Sequence, residues 1–143
     1  MLRISQSGML AVFALNYLSK RPDRMVPAHE IADWGGLSRN TLVRILQGLR
    51  RQGIVRATRG DGFELARPAD RITLMDVVTA TDGSTVLEEV CLMGRGRCEL
   101  GPSCAIAAFC DSTRSAVRHS LEQITLDKLP ADSEGRPICL QGD

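Results

Sequence analysis

The sequence predicts a mainly α fold that carries one short β-hairpin and closes with a long helix. Three observations lead there. Aromatic residues make up only 3% of the 143, so a core has to be assembled from Leu, Ile, Val, Met and Ala between helices, not from an aromatic-rich β-sandwich. Apolar residues recur at helical spacing through Leu42, Ile45, Leu46 and Leu49, and again from Ile106 to Ile124. Between these stretches, residues 54–58 and 63–66 flank Arg59-Gly60-Asp61-Gly62, whose glycines allow a tight reversal. With 43% hydrophobic and 24% charged residues the composition is ordinary for a globular chain. The length suits one domain, or one small domain plus an oligomerisation element.

Each element follows from its residues. Across residues 7–20, Met9, Leu10, Val12, Phe13, Leu15 and Leu18 cover more than one face, which predicts a largely buried helix ending near Arg21-Pro22. Val26-Pro27 opens a second helix through Asp33-Trp34, since proline suits a first turn where its missing N–H is not needed. Gly35-Gly36 breaks the chain, and Ser38 is the expected N-cap of a third helix. That helix buries Leu42, Ile45, Leu46 and Leu49 and turns Arg39, Asn40, Arg44 and Arg51 outward. Gly53 ends it, and the hairpin follows. Helix, helix, turn, helix, hairpin is the order of a winged helix-turn-helix.

After Arg67-Pro68, Thr73 caps a fourth helix of Leu74, Met75, Val77 and Val78, with Asp76 in its first turn and Asp82-Gly83-Ser84 as its close. Gly94, Gly96, Gly101 and Pro102 make residues 91–102 loop-like. From Ser103 to about Gln123 helical periodicity returns through Ile106, Ala107, Cys110, Val117, Leu121 and Ile124. A domain this small is expected to pack such a stripe on a second copy of itself. The expected organisation is a winged helix-turn-helix at 1–70, a connecting helix at 71–90, a cysteine loop at 91–104, a dimerisation helix and its end at 105–130, and a flexible tail at 131–143.

The net charge of +1 conceals an asymmetry. Residues 1–72 hold 12 of the 18 Lys and Arg but only 6 of the 17 Asp and Glu. A basic half joined to an acidic half is the pattern of a protein that meets a polyanion with one end. No apolar run approaches the roughly 20 residues that span a bilayer, and the N-terminus turns polar too soon for a signal peptide, so a cytoplasmic protein without membrane contact is expected.

Two constellations carry chemistry. In a helix-turn-helix the N-terminal residues of the second helix meet base edges while arginines take phosphates. Ser38, Arg39, Asn40, Thr41 and Arg44 have that chemistry, and Arg59-Gly60 stands at a hairpin tip narrow enough for a minor groove. The partner expected is double-stranded DNA. The second constellation is Cys91, Cys98, Cys104 and Cys110, the first three on the glycine-rich loop. Paired C-x-x-C ligands of structural zinc are absent. Thiolates on a flexible loop suit an iron–sulfur cluster, two-iron or four-iron, whose sulfurs accept bonds from backbone N–H groups, with Arg95 and Arg97 offsetting negative charge. Metal-free thiols that pair on oxidation are the alternative, and Cys139 lies in the tail. A small iron–sulfur electron carrier is a rival from another class, but such a carrier has no use for a winged unit. An enzyme is not expected, because neither His29 nor His119 has a nucleophile and an acid arranged around it.

At this point the sequence resembles the IscR/NsrR/RirA-type family of bacterial winged-helix iron–sulfur regulators, over nearly the whole chain. The likeness is carried by Arg3-Ile4-Ser5 with Gly8 and Ala11-Val12, by Gly36-Leu37-Ser38 through Gly53-Ile54-Val55, and by Arg59-Gly60 in the wing. It continues through Leu65-Ala66-Arg67-Pro68, Ile72-Thr73-Leu74, and Cys91, Cys98 and Cys104 before a long helix. The resemblance implies a homodimer crossed at its long helices, each protomer reading half of a near-palindromic operator, most simply as a repressor. It also implies a cluster held by Cys91, Cys98 and Cys104 that reports iron, nitric oxide or redox state. The chain departs from the pattern at the fourth ligand: Ala107 stands where relatives have histidine, and Met9 where some have an acidic residue. Cys110, Asp111, Glu99, His119 or a small molecule are the candidates left, Cys110 first. The wing lacks the longer glycine run of relatives, and Val43 replaces a base-reading glutamate.

Overall fold

The computed structural model describes residues 4–84, 87, 91–93 and 96–131. Helix α1 (Gln6–Ser19) is the post around which the core assembles, and every residue from Ala11 to Leu18 is buried. Its N-cap is Ser5, whose Oγ accepts the Gly8 N–H at 3.0 Å. Helix α2 (Ala28–Gly35) starts behind Pro27 and stops at Gly36, which takes φ 61 as a left-handed C-cap.

Helix α3 (Arg39–Arg51) buries Leu42, Ile45, Leu46 and Leu49, as its periodicity predicts. Ser38 occupies the N-cap position, but its side chain makes no capping bond. This corrects the role expected of its hydroxyl: the extended backbone at Ser38 starts the helix unaided.

Strands β1 (Val55–Thr58) and β2 (Gly62–Leu65) pair antiparallel, with Val55 opposite Leu65 and Thr58 opposite Gly62. β1 begins one residue later than the expected 54–58, and β2 lies one residue earlier than the expected 63–66. Val26 lies on the outer edge of β2, where its N–H donates to the Phe63 carbonyl and its carbonyl accepts the Phe63 N–H in return, both at 2.8 Å. The wing is therefore pinned to the chain entering α2. Gly62 makes this approach feasible: a Cβ there would lie 2.4 Å from the Val26 carbonyl, at a φ of 117.

A short turn at Ala69–Arg71 leads to α4 (Leu74–Asp82). Thr73 and Asp76 form a capping box, with Thr73 N–H to Asp76 Oδ2 at 2.8 Å and Asp76 N–H to Thr73 Oγ1 at 3.1 Å. The helix ends at Asp82 with Gly83 as its C-cap, where Asp82-Gly83-Ser84 was expected to close it. Leu87 beyond it is buried, and residues 85, 86 and 88–90 lie outside the described residues.

The last long helix, α5 (Ala107–Gln123), begins four residues later than expected. Gly101–Ser103 forms a tighter turn with Pro102 inside it, and Cys104 is extended, so the helix cannot start at Ser103. Helix α5 packs on α4 of its own chain. That contact takes up part of the stripe expected to lie on a second copy: Cys110 is buried, and Ile106, Val117 and Leu121 are half-buried. Phe109, on the outward side, stays 60% exposed.

Beyond α5 the chain returns to the first half. Leu126 N–H donates to the Ile72 carbonyl and Leu74 N–H to the Ile124 carbonyl, both at 2.9 Å, which brings Leu126 and Leu129 into the same core as α1.

Candidate nucleic-acid interface and cysteine loop

On α3 the ridge opposite the buried stripe is Asn40, Arg44, Gln47 and Arg51, spaced i, i+4, i+7 and i+11. The flank beside it carries Arg39, Val43 and Arg50, and the wing closes over this flank. The result is a cleft of about 630 Å³ lined by His29 of α2, by Arg39, Val43, Gln47 and Arg50 of α3, and by Arg59 of the wing. Of the residues picked from sequence, Arg39, Arg59 and Gly60 meet in this cleft. Asn40 and Arg44 stand exposed on the ridge. Ser38 and Thr41 fall on the opposite flank, around a smaller hollow of about 200 Å³ shared with Gln6, Leu10 and Leu37. Gln47 and Arg50 carry no signal in the sequence beyond sharing one helical stripe with Arg39 and Val43, while Val43 is named there only as the place of a base-reading glutamate in relatives and His29 only as a histidine without catalytic neighbours.

The arginines divide by partner. Arg21 and Arg24 pair with Glu30, Arg56 with Glu64, and Arg67 with Asp76. Among the described residues no carboxylate pairs with Arg39, Arg44, Arg50, Arg51 or Arg59. Apart from Arg71 on the turn before α4, the guanidinium groups found without a carboxylate partner among the described residues lie on α3 and the wing tip, the geometry of an anion-binding surface.

Helix α2, which braces α3, is locked to α1. The Tyr17 hydroxyl donates to Glu30 Oε1 at 2.7 Å and Arg24 Nη1 donates to Glu30 Oε2 at 3.0 Å. Trp34 of α2 stacks against Phe13, with ring centroids 4.5 Å apart, and lies 4.6 Å from Tyr17. The bonds from Arg24 and Tyr17 hold the Glu30 carboxyl at about 2, well below its ordinary 4.5.

Cys91, Cys98 and Cys104 are free and half-buried, and Cys110 is free and buried on α5. The loop is folded by its own backbone: Cys91 N–H donates to Gly96 O at 2.7 Å and Cys104 N–H to Gly101 O at 3.1 Å. Gly96 at φ 75 and Gly101 at φ 48 permit these turns. The Cys98 thiol is pulled below its ordinary pKa, first by a backbone hydrogen bond from Gly101, then by the side chain of Arg114 on α5, against a weaker opposing effect of burial. Gly94 and Arg95, expected to act beside these thiols, and Cys139 lie outside the described residues; Arg97 is exposed.

The donor set fits an iron–sulfur group in its chemistry: three soft thiols on one loop, with Cys98 already accepting the backbone N–H bonds that such sulfurs take. Among the described residues, no three His, Cys, Asp or Glu side chains stand grouped as metal ligands. Of the candidates for a fourth donor, Cys110 is buried, while Asp111, Glu99 and His119 are exposed, and Met9 is 40% exposed.

Comparison with known proteins agrees with this geometry. The family model "Rrf2: Iron-dependent Transcriptional regulator" matches residues 4–132. The chain is 35% identical over 130 residues to Protein aau3 of Rhizobium meliloti (strain 1021), covering 90% of this chain and 84% of that protein. It superimposes on CymR (YrzC), the global cysteine regulator of B. subtilis, with a TM-score of 0.73 and 26% identity over 89% of this chain and 94% of that one. It also shares the fold of T. potens IscR, with a TM-score of 0.67 and 24% identity over 88% and 84% of the two chains.

Proposed function

This chain belongs to the Rrf2 family of transcriptional regulators, and from that premise we propose that it is a cytoplasmic, homodimeric repressor that reports iron, nitric oxide or redox state through an iron–sulfur cluster held by Cys91, Cys98 and Cys104. The observation that carries the DNA-binding part is the cleft where Arg39, Gln47 and Arg50 face Arg59 of the wing, with no carboxylate among the described residues pairing with these arginines. Asn40 and Gln47 present amides to base edges, and Arg39, Arg44 and Arg50 take phosphates or guanine. Arg59, at the tip of a hairpin pinned to Val26, enters the adjoining minor groove.

Residues 1–70 form the reading head and 71–90 the connection to the sensor loop at 91–104. Residues 105–130 supply the helix on which two copies meet, with Phe109 as the exposed apolar anchor, and 131–143 form the tail. Two heads on one dimer require a near-palindromic operator. When bound, the cluster supplies a group that iron supply, nitric oxide or oxidation alters. The protein's own part is mechanical. The Gly101–Ser103 turn at the end of the loop packs on α5, so a change in the loop is felt by the helix that sets the spacing of the heads. Cys110, the buried thiol of α5, is the fourth donor from this chain.

A second reading is favoured by the lowered pKa of Cys98: a metal-free regulator in which a peroxide takes two electrons and two protons from a pair of these thiols, forming a disulfide and water. Anaerobic purification of wild type and Cys98→Ser, with an absorbance spectrum and iron and sulfide analysis, separates the two. A coloured wild type with matched iron and sulfide, bleached in the variant, supports the cluster. A colourless wild type without iron overturns it and leaves the thiol regulator.

A further inference from the structure

We infer that a hollow on the back of the wing binds a small organic anion, a carboxylate on a short apolar body, as an effector of the wing. Neighbouring strand residues face opposite ways. The paired Ala57 and Phe63 line the cleft, so the next pair, Arg56 and Glu64, turns to the other face. There a hollow of about 300 Å³ opens between the wing, the end of α1 and the stretch leading from β2 towards α4. That is the lower end of the about 300–1,000 Å³ common for small-molecule sites. Leu18 and Leu65 give it apolar walls. Arg21, Arg56 and Arg67, one from each of the three segments, line it together with a single carboxylate, Glu64.

The partners of these arginines are committed elsewhere. Glu30 Oε1 lies 3.8 Å from Arg21 Nε, but Glu30 is bonded more closely to Arg24 and to the Tyr17 hydroxyl. Arg21 is held in place by its own helix, resting over the Tyr17 ring and giving Nη1 to the Tyr17 carbonyl at 3.2 Å. Asp76 Oδ2 lies 3.5 Å from Arg67 Nη2, yet it already accepts the Thr73 N–H at 2.8 Å and the Thr73 hydroxyl at 3.0 Å. Arg67 Nε is buried with no hydrogen bond among the described residues. Arg56 bonds Glu64 through Nε alone, at 2.6 Å, and its side chain is 66% exposed, so both of its Nη groups are left for an incoming oxygen. Each guanidinium presents five donors in a fixed fork, the geometry that suits the two oxygens of a carboxylate. Leu18 and Leu65 beside them favour an anion with an apolar body over bare phosphate. A ligand here ties the back of the wing to the end of α1, while Val26 holds the wing's edge. Its effect on Arg59 at the tip, and so on DNA, rests on the reading of the cleft given above.

The test is an NMR titration of the full-length chain, at constant ionic strength, with three probes: butyrate, its neutral counterpart butyramide, and inorganic phosphate. Butyrate should give saturable amide shifts confined to residues 18–22, 56 and 64–69, and the other two should bind roughly tenfold or more weakly. Arg56→Gln, an exposed change that leaves the core alone, and Arg67→Gln should each weaken butyrate binding by roughly tenfold or more, the factor set by one hydrogen bond to a charged group. Arg39→Gln, in the cleft, should not alter it. Saturation by no probe, or butyrate binding unchanged in both variants, overturns the site. Phosphate or butyramide binding as tightly as butyrate overturns the class of ligand. Saturating butyrate should also change the affinity for duplex DNA in wild type and not in Arg56→Gln, and an affinity unmoved by bound butyrate overturns the effector role. Butyrate binding by a chain that holds no duplex upholds the site and removes the DNA reading. Duplex binding by a chain that no probe saturates does the reverse.

Discussion

Ser5 is bonded to Asp82 through both its hydroxyl and its backbone N–H, the latter reaching Asp82 Oδ2 at 3.1 Å. The same hydroxyl caps α1 by accepting the Gly8 N–H, and Asp82 is the last residue of α4. The start of the core helix is thereby fixed to the point from which the chain leaves for the cysteine loop. Ser5→Ala removes the cap and the charged bond together, and should cost about 1–2 kcal/mol. In a domain of this size that lowers Tm by roughly 3–8 °C. Calorimetry on the purified variant checks it, and an unchanged Tm would mean that the joint contributes nothing.

The Glu30 network gives a pH dependence with a definite sign. The folded carboxyl titrates at about 2 against an ordinary 4.5, so the unfolded chain takes up this proton first as acid is added. The stabilisation is full above pH 4.5, erodes as the pH falls below it, and is gone once the pH passes below about 2. The Tm difference between wild type and Glu30→Gln should therefore be largest near neutrality and shrink steadily between pH 4.5 and 2. A difference that holds constant across that range would contradict the assignment.

Two wing glycines make a controlled pair. At Gly60, φ is 90 and nothing lies within 4 Å of an added Cβ, so Gly60→Ala meets backbone strain alone, about 1 kcal/mol. At Gly62, φ is 117 and the Cβ would strike the Val26 carbonyl at 2.4 Å. Gly62→Ala should cost upwards of about 2 kcal/mol and detach the wing from Val26. Denaturant unfolding gives the two costs, and amide exchange at Val26 and Phe63 reports the detachment in Gly62→Ala only.

The arginines and amides of the cleft should separate affinity from specificity. Arg39→Ala, Arg50→Ala and Arg59→Ala should each weaken binding to every duplex and reduce the slope of log affinity against log salt by about 1 for each phosphate the variant no longer neutralises. Asn40→Ala and Gln47→Ala should instead flatten discrimination between sequences, by about 1–3 kcal/mol at the base each one reads. Titrations at several salt concentrations on matched and mismatched duplexes distinguish the two classes.

The elements were readable from the sequence because each has a local cause. Period-3.6 burial marks α3, Gly36 and Gly53 mark its borders, and Thr73 with Asp76 announces α4. The errors have local causes too: the rotamer of Ser38 is not set by its neighbours in sequence, and Pro102 could not by itself reveal that α5 starts only at Ala107. The binding cleft was half readable. Arg39 and Arg59 were found from their chemistry, whereas Val43, Gln47, Arg50 and His29 become one surface only when Val26 pins the wing beside α3. The pairing of Leu126 with Ile72 and of Leu74 with Ile124 joins residues far apart in the chain, which no local pattern encodes.

The central claim is that the cysteine loop governs how tightly this chain holds DNA. It is tested most directly by selecting duplexes from a random library with anaerobically purified wild type, then measuring affinity for the enriched duplex before and after iron chelation, in wild type and in Cys98→Ser. The account predicts enrichment of a two-fold repeat, a change in wild-type affinity of about 5–150-fold on chelation, and no change in Cys98→Ser. A wild type that binds the enriched duplex equally well in both states would contradict it.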